Sequence, residues 1–170
     1  LKKYDLVDEA LLAAGPDAVW EALTGELAGG ARWWVPDNTF EPVNGAPDQV
    51  GALTRVTVHT KGVDKGGKKI RFTARTAAVE PGRRLALAYV EGAFRGTAEF
   101  TLAPLDDGGT RLAMRFRAQP HGALAVLANL VDMDANHTRA TRAAFARLGR
   151  LLPAAPAPTA SAGPAPGVSL

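Results

Sequence analysis

The sequence predicts an α+β domain in which seven antiparallel strands curl around one long C-terminal helix. Two observations carry that prediction. Hydropathy alternates with a period of two from Asn38 to Arg117, broken only by short turns rich in Gly, Pro, Asn and Asp. Beyond Pro120 the period becomes that of a helix and holds until Pro153.

Tyr4–Leu12 reads as the first strand, mixing apolar and polar residues without a breaker. Gly15-Pro16-Asp17 then opens a helix, because Pro suits the first helical position and Asp17 suits the positive end of the helix dipole. Ala18, Val19, Ala22 and Leu23 repeat at helical spacing until Thr24-Gly25 ends the run. A second short helix is predicted over Glu26–Trp33, weakened by Gly29-Gly30.

The remaining strands cover Asn38–Pro42, Ala52–Thr60, Ile70–Val79 and Arg84–Val90. Two more carry Ala98, Phe100 and Leu102, then Leu112, Met114 and Phe116. Turns at Asn44-Gly45, Glu80-Pro81-Gly82, Glu91-Gly92 and Asp106-Asp107-Gly108-Gly109 link them, with a Gly- and Lys-rich loop at Lys61–Lys68. Short links between successive strands imply an antiparallel meander. His121–Leu152 reads as one helix of roughly eight or nine turns. The domain thus covers residues 3–152, and residues 153–170 read as a disordered tail of Ala, Pro, Ser, Gly and Thr.

Composition narrows the function classes. A chain of 170 residues with 46% apolar and 22% charged residues suits one globular domain with a sizeable core. No Cys is present, which excludes a disulfide framework, a thiol nucleophile and a thiolate metal site. With no basic-then-apolar leader pattern, a cytoplasmic location is expected. The longest nearly unbroken apolar run, Gly122–Val131, is too short to span a bilayer.

Of the 20 basic residues, 13 fall between positions 51 and 120. Arg71, Arg75, Arg111, Arg115 and Arg117 alternate with apolar residues on two strands, which puts them on the outer face of the sheet. Nucleic acid is not an expected partner, because the aromatic residues alternate to the other face instead of interleaving with the arginines. Walker, dinucleotide and nucleophile-elbow motifs and zinc-ligand spacings are absent, so no cofactor is expected. No metal is expected either: Asp132 and Asp134 point in different directions on a helix, and no second ligand cluster accompanies them.

The order of elements, with several local motifs, resembles the helix-grip fold of the SRPBCC (START-like) superfamily. The motifs are Gly15-Pro16-Asp17-Ala18-Val19-Trp20, Trp33-Trp34, Val79-Glu80-Pro81-Gly82-Arg83-Arg84-Leu85, the Gly92–Gly96 turn and Gly108-Gly109-Thr110. Within it the chain is most similar to the polyketide cyclase/dehydrase and lipid-transport family. That resemblance implies a cavity between sheet and terminal helix for a small hydrophobic molecule of aromatic, polyketide or lipid-like type. It implies no shared catalytic residue, since such folds host enzymes, carriers and binding proteins.

The terminal helix supplies an independent argument for a cavity. Its core-facing stripe is Leu124, Leu127, Val131, Asp134, Thr138, Thr141, Phe145, Leu148 and Leu152, apolar at both ends and polar in the middle. Burying such groups without partners costs about 1–3 kcal/mol per neutral group and more for a charge. The middle of the stripe therefore faces a solvated cavity, or Asp134 pairs with an Arg and the threonines bond back to the helix. Asp134 and His137, three apart, are neighbours on the helix surface and a candidate proton-transfer pair.

Trp33, Trp34, Phe72 and Tyr89 are the candidate aromatic wall, with the two tryptophans near the mouth, while Thr138 and Thr141 would orient a ligand's polar end. Strand alternation puts His59 opposite Val56 and Val58: on the surface if the valines point inward, in the pocket wall if the register is inverted. Three readings stay open: a carrier without chemistry, a polyketide cyclase or aromatase using His137 or His59, and a chaperone-activator-like module acting through the basic outer sheet.

Overall fold

In the computed structural model, which describes residues 2–156, the chain enters β1 (Tyr4–Leu12) and then α1 (Pro16–Leu27). Six strands follow: β2 (Asn38–Asn44), β3 (Leu53–His59), β4 (Lys69–Glu80), β5 (Arg84–Gly92), β6 (Phe94–Pro104) and β7 (Thr110–Pro120). The chain ends in α2 (Ala123–Leu127), a 3-10 turn (Ala128–Leu130) and α3 (Met133–Leu151). All seven strands form one antiparallel sheet in the order β1-β7-β6-β5-β4-β3-β2. The predicted meander is thus present, closed at one side by the N-terminal strand.

The period-two pattern places the core. Across β6 and β7, Ala98 faces Phe116, Phe100 faces Met114 and Leu102 faces Leu112, and all six are buried. Arg71, Arg75, Arg111, Arg115 and Arg117 are exposed on the other face. Register shifts within β4–β5 and β2–β3 add curl. Gly96 adds more, because its φ of +136° and its approach to Arg117 of β7 admit no side chain. The second half of α3 fills one end of the curl with Ala144, Phe145 and Leu148.

Two helical expectations are corrected. No second helix forms over Glu26–Trp33: α1 continues to Leu27, and turns follow. Gly29 there has φ +82°, and a Cβ on it would meet the Phe40 carbonyl at 2.8 Å. The buried Glu26 carboxylate accepts the backbone N–H groups of Trp33 and Trp34, holding that stretch as a loop. The terminal helix is also not continuous. Val131 is extended, and Asp132 caps a new helix by accepting the Ala135 N–H at 3.0 Å. Leu127 and Val131 consequently leave the buried stripe and stand exposed. Of the predicted tail, residues 157–170 lie outside the described residues, as does Leu1.

Candidate functional site

A cavity of about 650 Å³ lies between the concave face of the sheet and α3. Its wall is largely apolar, with a chain of aromatic rings along it. Phe72 touches Tyr89 and Phe94 edge-on at centroid distances of 4.9 and 5.1 Å, and Phe94 touches Phe116 at 5.6 Å. Phe116 in turn stacks on the His137 imidazole at 4.3 Å. At the other end Trp34 is wedged among Phe40, Phe100 and Phe145. Alternation on β4 to β7 delivers these rings to one face, and α3 delivers His137.

Few polar atoms interrupt this surface, and several have no partner. The Tyr4 hydroxyl and the Trp34 Nε1 are buried without a hydrogen bond among the described residues. Both side chains line the cavity. Burial pushes the Tyr4 phenol up, with the nearby Asp134 carboxylate adding to the effect. Burial also pushes the Tyr89 phenol up, well beyond its ordinary range, so it stays protonated.

The His137 imidazole lies within ion-pair reach of Asp8, not of Asp134, and its Nδ1 makes no hydrogen bond among the described residues. Its Nδ1 lies 3.7 Å from the Asp8 carboxylate, and no ion pair within the same reach joins it to Asp134. Asp8 comes from the inner face of β1 and is 2% exposed. Thr138 donates to the same carboxylate at 3.4 Å and Arg142 at 3.2 Å. Burial holds the imidazole below its ordinary pKa, against the opposite pull of Asp8 and Asp134. Asp134 keeps one buried carboxylate oxygen without a partner among the described residues.

The remaining candidates divide. Phe72, Tyr89, Trp34, Thr141 and His137 line the cavity; Trp33, Asp134 and Thr138 do not. Trp33 instead packs against Phe145 and donates its Nε1–H to the Ala22 carbonyl at 3.1 Å, as a core residue under α1. The tryptophan loop is pinned from both sides, by Glu26 and by Arg147, which donates to the Trp33 carbonyl at 2.9 Å. Burial raises the Glu26 pKa, and the two accepted N–H groups oppose that rise.

His59 is buried, contrary to the surface position expected for it with the valines inward. Its Nε2 is 2.8 Å from the Thr39 hydroxyl, and Thr39 stands opposite Thr57. The face is therefore the one alternation gives. The ring also borders the cavity, and its backbone N–H donates to the Asp37 carbonyl at 2.8 Å, beside the Val63 N–H to Pro36 carbonyl bond at 2.9 Å. Burial, then Lys69, lowers the His59 pKa.

Asp8 and Tyr4 are the site residues the sequence reading passed over. The signal was there: Tyr4, Leu6, Asp8, Ala10 and Leu12 alternate, so an inward Tyr4 makes Asp8 inward too. Among the described residues no cluster of His, Asp and Glu fits a metal. No described helix is long and apolar enough to cross a membrane.

A family model described as polyketide cyclase / dehydrase and lipid transport matches residues 5–153. No curated protein matches the chain. Among solved structures it is similar to Mll3558 from Rhizobium loti, at 20% identity, covering 89% of this chain and 98% of that one with a TM-score of 0.65. It is similar to TTHA0849 from Thermus thermophilus, at 18% identity, 87% and 99% coverage and a TM-score of 0.64. It is also similar to the Zhui aromatase/cyclase from a Streptomyces species, at 18% identity, 89% and 97% coverage and a TM-score of 0.62. At these identities the likeness establishes the fold.

Proposed function

From the premise that the chain belongs to the polyketide cyclase/dehydrase and lipid transport family, we propose that it binds one small, mostly apolar, oxygen-bearing molecule between its sheet and α3. The observation that carries this reading is a set of buried polar atoms without a partner among the described residues, Trp34 Nε1, Tyr4 Oη and the Nδ1 atoms of His59 and His137, on a mostly apolar wall. An indole N–H only donates, so the group that satisfies it is an acceptor such as a carbonyl. A volume of about 650 Å³ is in the usual range for a small-molecule site and suits two or three fused rings or a folded chain. Apolar burial supplies affinity, and the unpartnered polar atoms set orientation.

A second reading, cyclisation or dehydration of a bound poly-carbonyl chain, is favoured by one specific observation. His137 stands in the cavity wall with a buried carboxylate behind it and a lowered pKa, so a neutral ring is available as a base at neutral pH. The cavity would contribute by folding the chain into reach of itself.

Native mass spectrometry of freshly purified protein tests the first reading directly. A co-purifying apolar molecule is the expected result. Calorimetric titration with α-tetralone and with tetralin, its analogue without the carbonyl, adds a defined probe. Equal affinity for the two, or none for either, overturns the role given to Trp34.

A further inference from the structure

The mouth of the cavity can be read from the lining residues that reach solvent. Thr60, Lys61, Gly67 and Lys68 stand exposed on one side, and Val131, Asn136 and Arg139 on the other. Each side has an unusual neighbour. Beyond Val131, the short α2 and 3-10 turn present Val126 at 77% and Leu130 at 81% exposure, with Leu127 and Val131 also exposed. Large apolar side chains grouped this way on a free surface mark an interaction site. Gly122, at φ +64°, and the extended Val131 bracket the segment, so it stands as an element separate from α3.

The opposite rim supplies charge. Lys61, Lys65, Lys68 and Lys69 are all exposed and have only Asp64 as an acid among them. None of the four lysines makes an ion pair among the described residues. Asp132, the acid nearest the apolar segment, is used as the cap of α3. Arg139 on that rim is already paired with Asp37 at 3.0 Å.

We propose that the cavity mouth docks on an anionic membrane surface, with Val126, Leu127, Leu130 and Val131 entering the headgroup region while the Lys61–Lys69 loop meets anionic lipid. Exposed apolar residues on one rim and lysines without ion pairs on the other are the combination that peripheral membrane binding requires, since neither contribution alone gives stable attachment. A second copy of the chain fits less well: two-fold pairing on this patch would bring two lysine loops toward one interface. The proposal rests on the cavity reading only for its purpose, direct passage of an apolar molecule between bilayer and cavity. The docking itself is measured without any cavity ligand, so the two fail separately.

Co-sedimentation with vesicles of equimolar phosphatidylserine and phosphatidylcholine is the test, with pure phosphatidylcholine vesicles beside it. Binding to the anionic vesicles and weak binding to the neutral ones is expected. Leu130→Ser and, separately, Val126→Ser should each weaken it by about tenfold. The Lys65→Glu, Lys68→Glu double variant should weaken it by about tenfold or more and remove most of its salt dependence. Circular dichroism checks that each variant is folded. Equal binding to both vesicle types, or variants that bind like the parent, overturns the proposal. So does a dimer in analytical ultracentrifugation that Leu130→Ser dissociates, since the patch would then belong to a second copy.

Discussion

The carboxylate that faces the His137 imidazole is Asp8, at 3.7 Å, reaching across from the N-terminal edge strand to α3. The contact joins the two ends of the fold through a side chain buried on the inner face of the sheet. It also adds a second carboxylate that tunes the histidine: Asp134, one turn earlier on the same helix, forms no ion pair with it but pulls its pKa the same way.

Replacing Asp8 with Asn removes the charge and keeps the volume. Arg142 is largely exposed and returns to water, but Thr138 and His137 lose the shared carboxylate and face an amide in its place. The expected cost is about 1–3 kcal/mol, read by urea unfolding. The histidine should respond as well. Asp8 pulls its pKa upward, so in the Asp8→Asn protein the imidazole titrates lower still by NMR. A titration that does not move shows that Asp8 only packs.

Stability should depend on pH through the same ring. Burial lowers the folded-state pKa of His137 below 6.5, so below that pH the unfolded chain takes up a proton that the folded chain refuses. Stability is then lost as pH falls through and below 6.5, and His59 acts with the same sign. Glu26 acts oppositely: its raised pKa gives stability that is lost as pH rises above 4.5. The difference between parent and His137→Asn isolates the ring. On acidification from neutral pH, thermal scans should show the parent losing more Tm than the variant, each measured against its own neutral value.

Sheet order, core face and the outward arginines were legible because alternation fixes a side chain's face without reference to distant residues. His59 was legible by face but not by burial, since the Asp37 carbonyl and Thr39 hydroxyl that meet it come from a segment distant in sequence. The break before α3 was readable in principle from Asp132 followed by Ala135, a capping pattern hidden by the apolar run around it. The role of Glu26 was not legible, because holding the tryptophan loop depends on a turn conformation with no periodic signature. Pairing Asp134 with His137 followed helical spacing correctly, but a partner on β1 is invisible to any local rule.

The two tryptophans should separate under the same mild substitution. Trp34→Phe keeps a ring among Phe40, Phe100 and Phe145 and deletes a donor that has no partner among the described residues. It should leave stability within about 1 kcal/mol and reduce α-tetralone affinity by about tenfold. Trp33→Phe deletes the part-buried bond to the Ala22 carbonyl and trims a ring packed against Trp34 and Phe145. It should cost about 1–3 kcal/mol of stability and leave α-tetralone affinity unchanged. Unfolding curves and calorimetry on both proteins give the crossed result, and equal effects on both quantities would remove the distinction between wall and core.

Glycines give the last contrast. Gly96 lies in β6 at φ +136°, where a Cβ would sit 2.1 Å from the Arg117 carbonyl oxygen and 2.7 Å from the Ala118 Cα. Both obstacles are backbone of β7, the strand that carries Phe116 to the cavity wall, so neither can swing aside as a side chain would. Gly96→Ala should therefore cost about 2–4 kcal/mol, combining backbone strain at positive φ with displacement of the neighbouring strand. Gly25 lies inside α1, its backbone is helical, and a methyl group added there would meet nothing within 4 Å. Gly25→Ala should stabilise the protein by about 0.5–1 kcal/mol through helix propensity alone. Urea unfolding of the two variants checks both signs at once, and a tolerated Gly96→Ala would mean that the curl of the sheet does not depend on the close approach of β6 to β7.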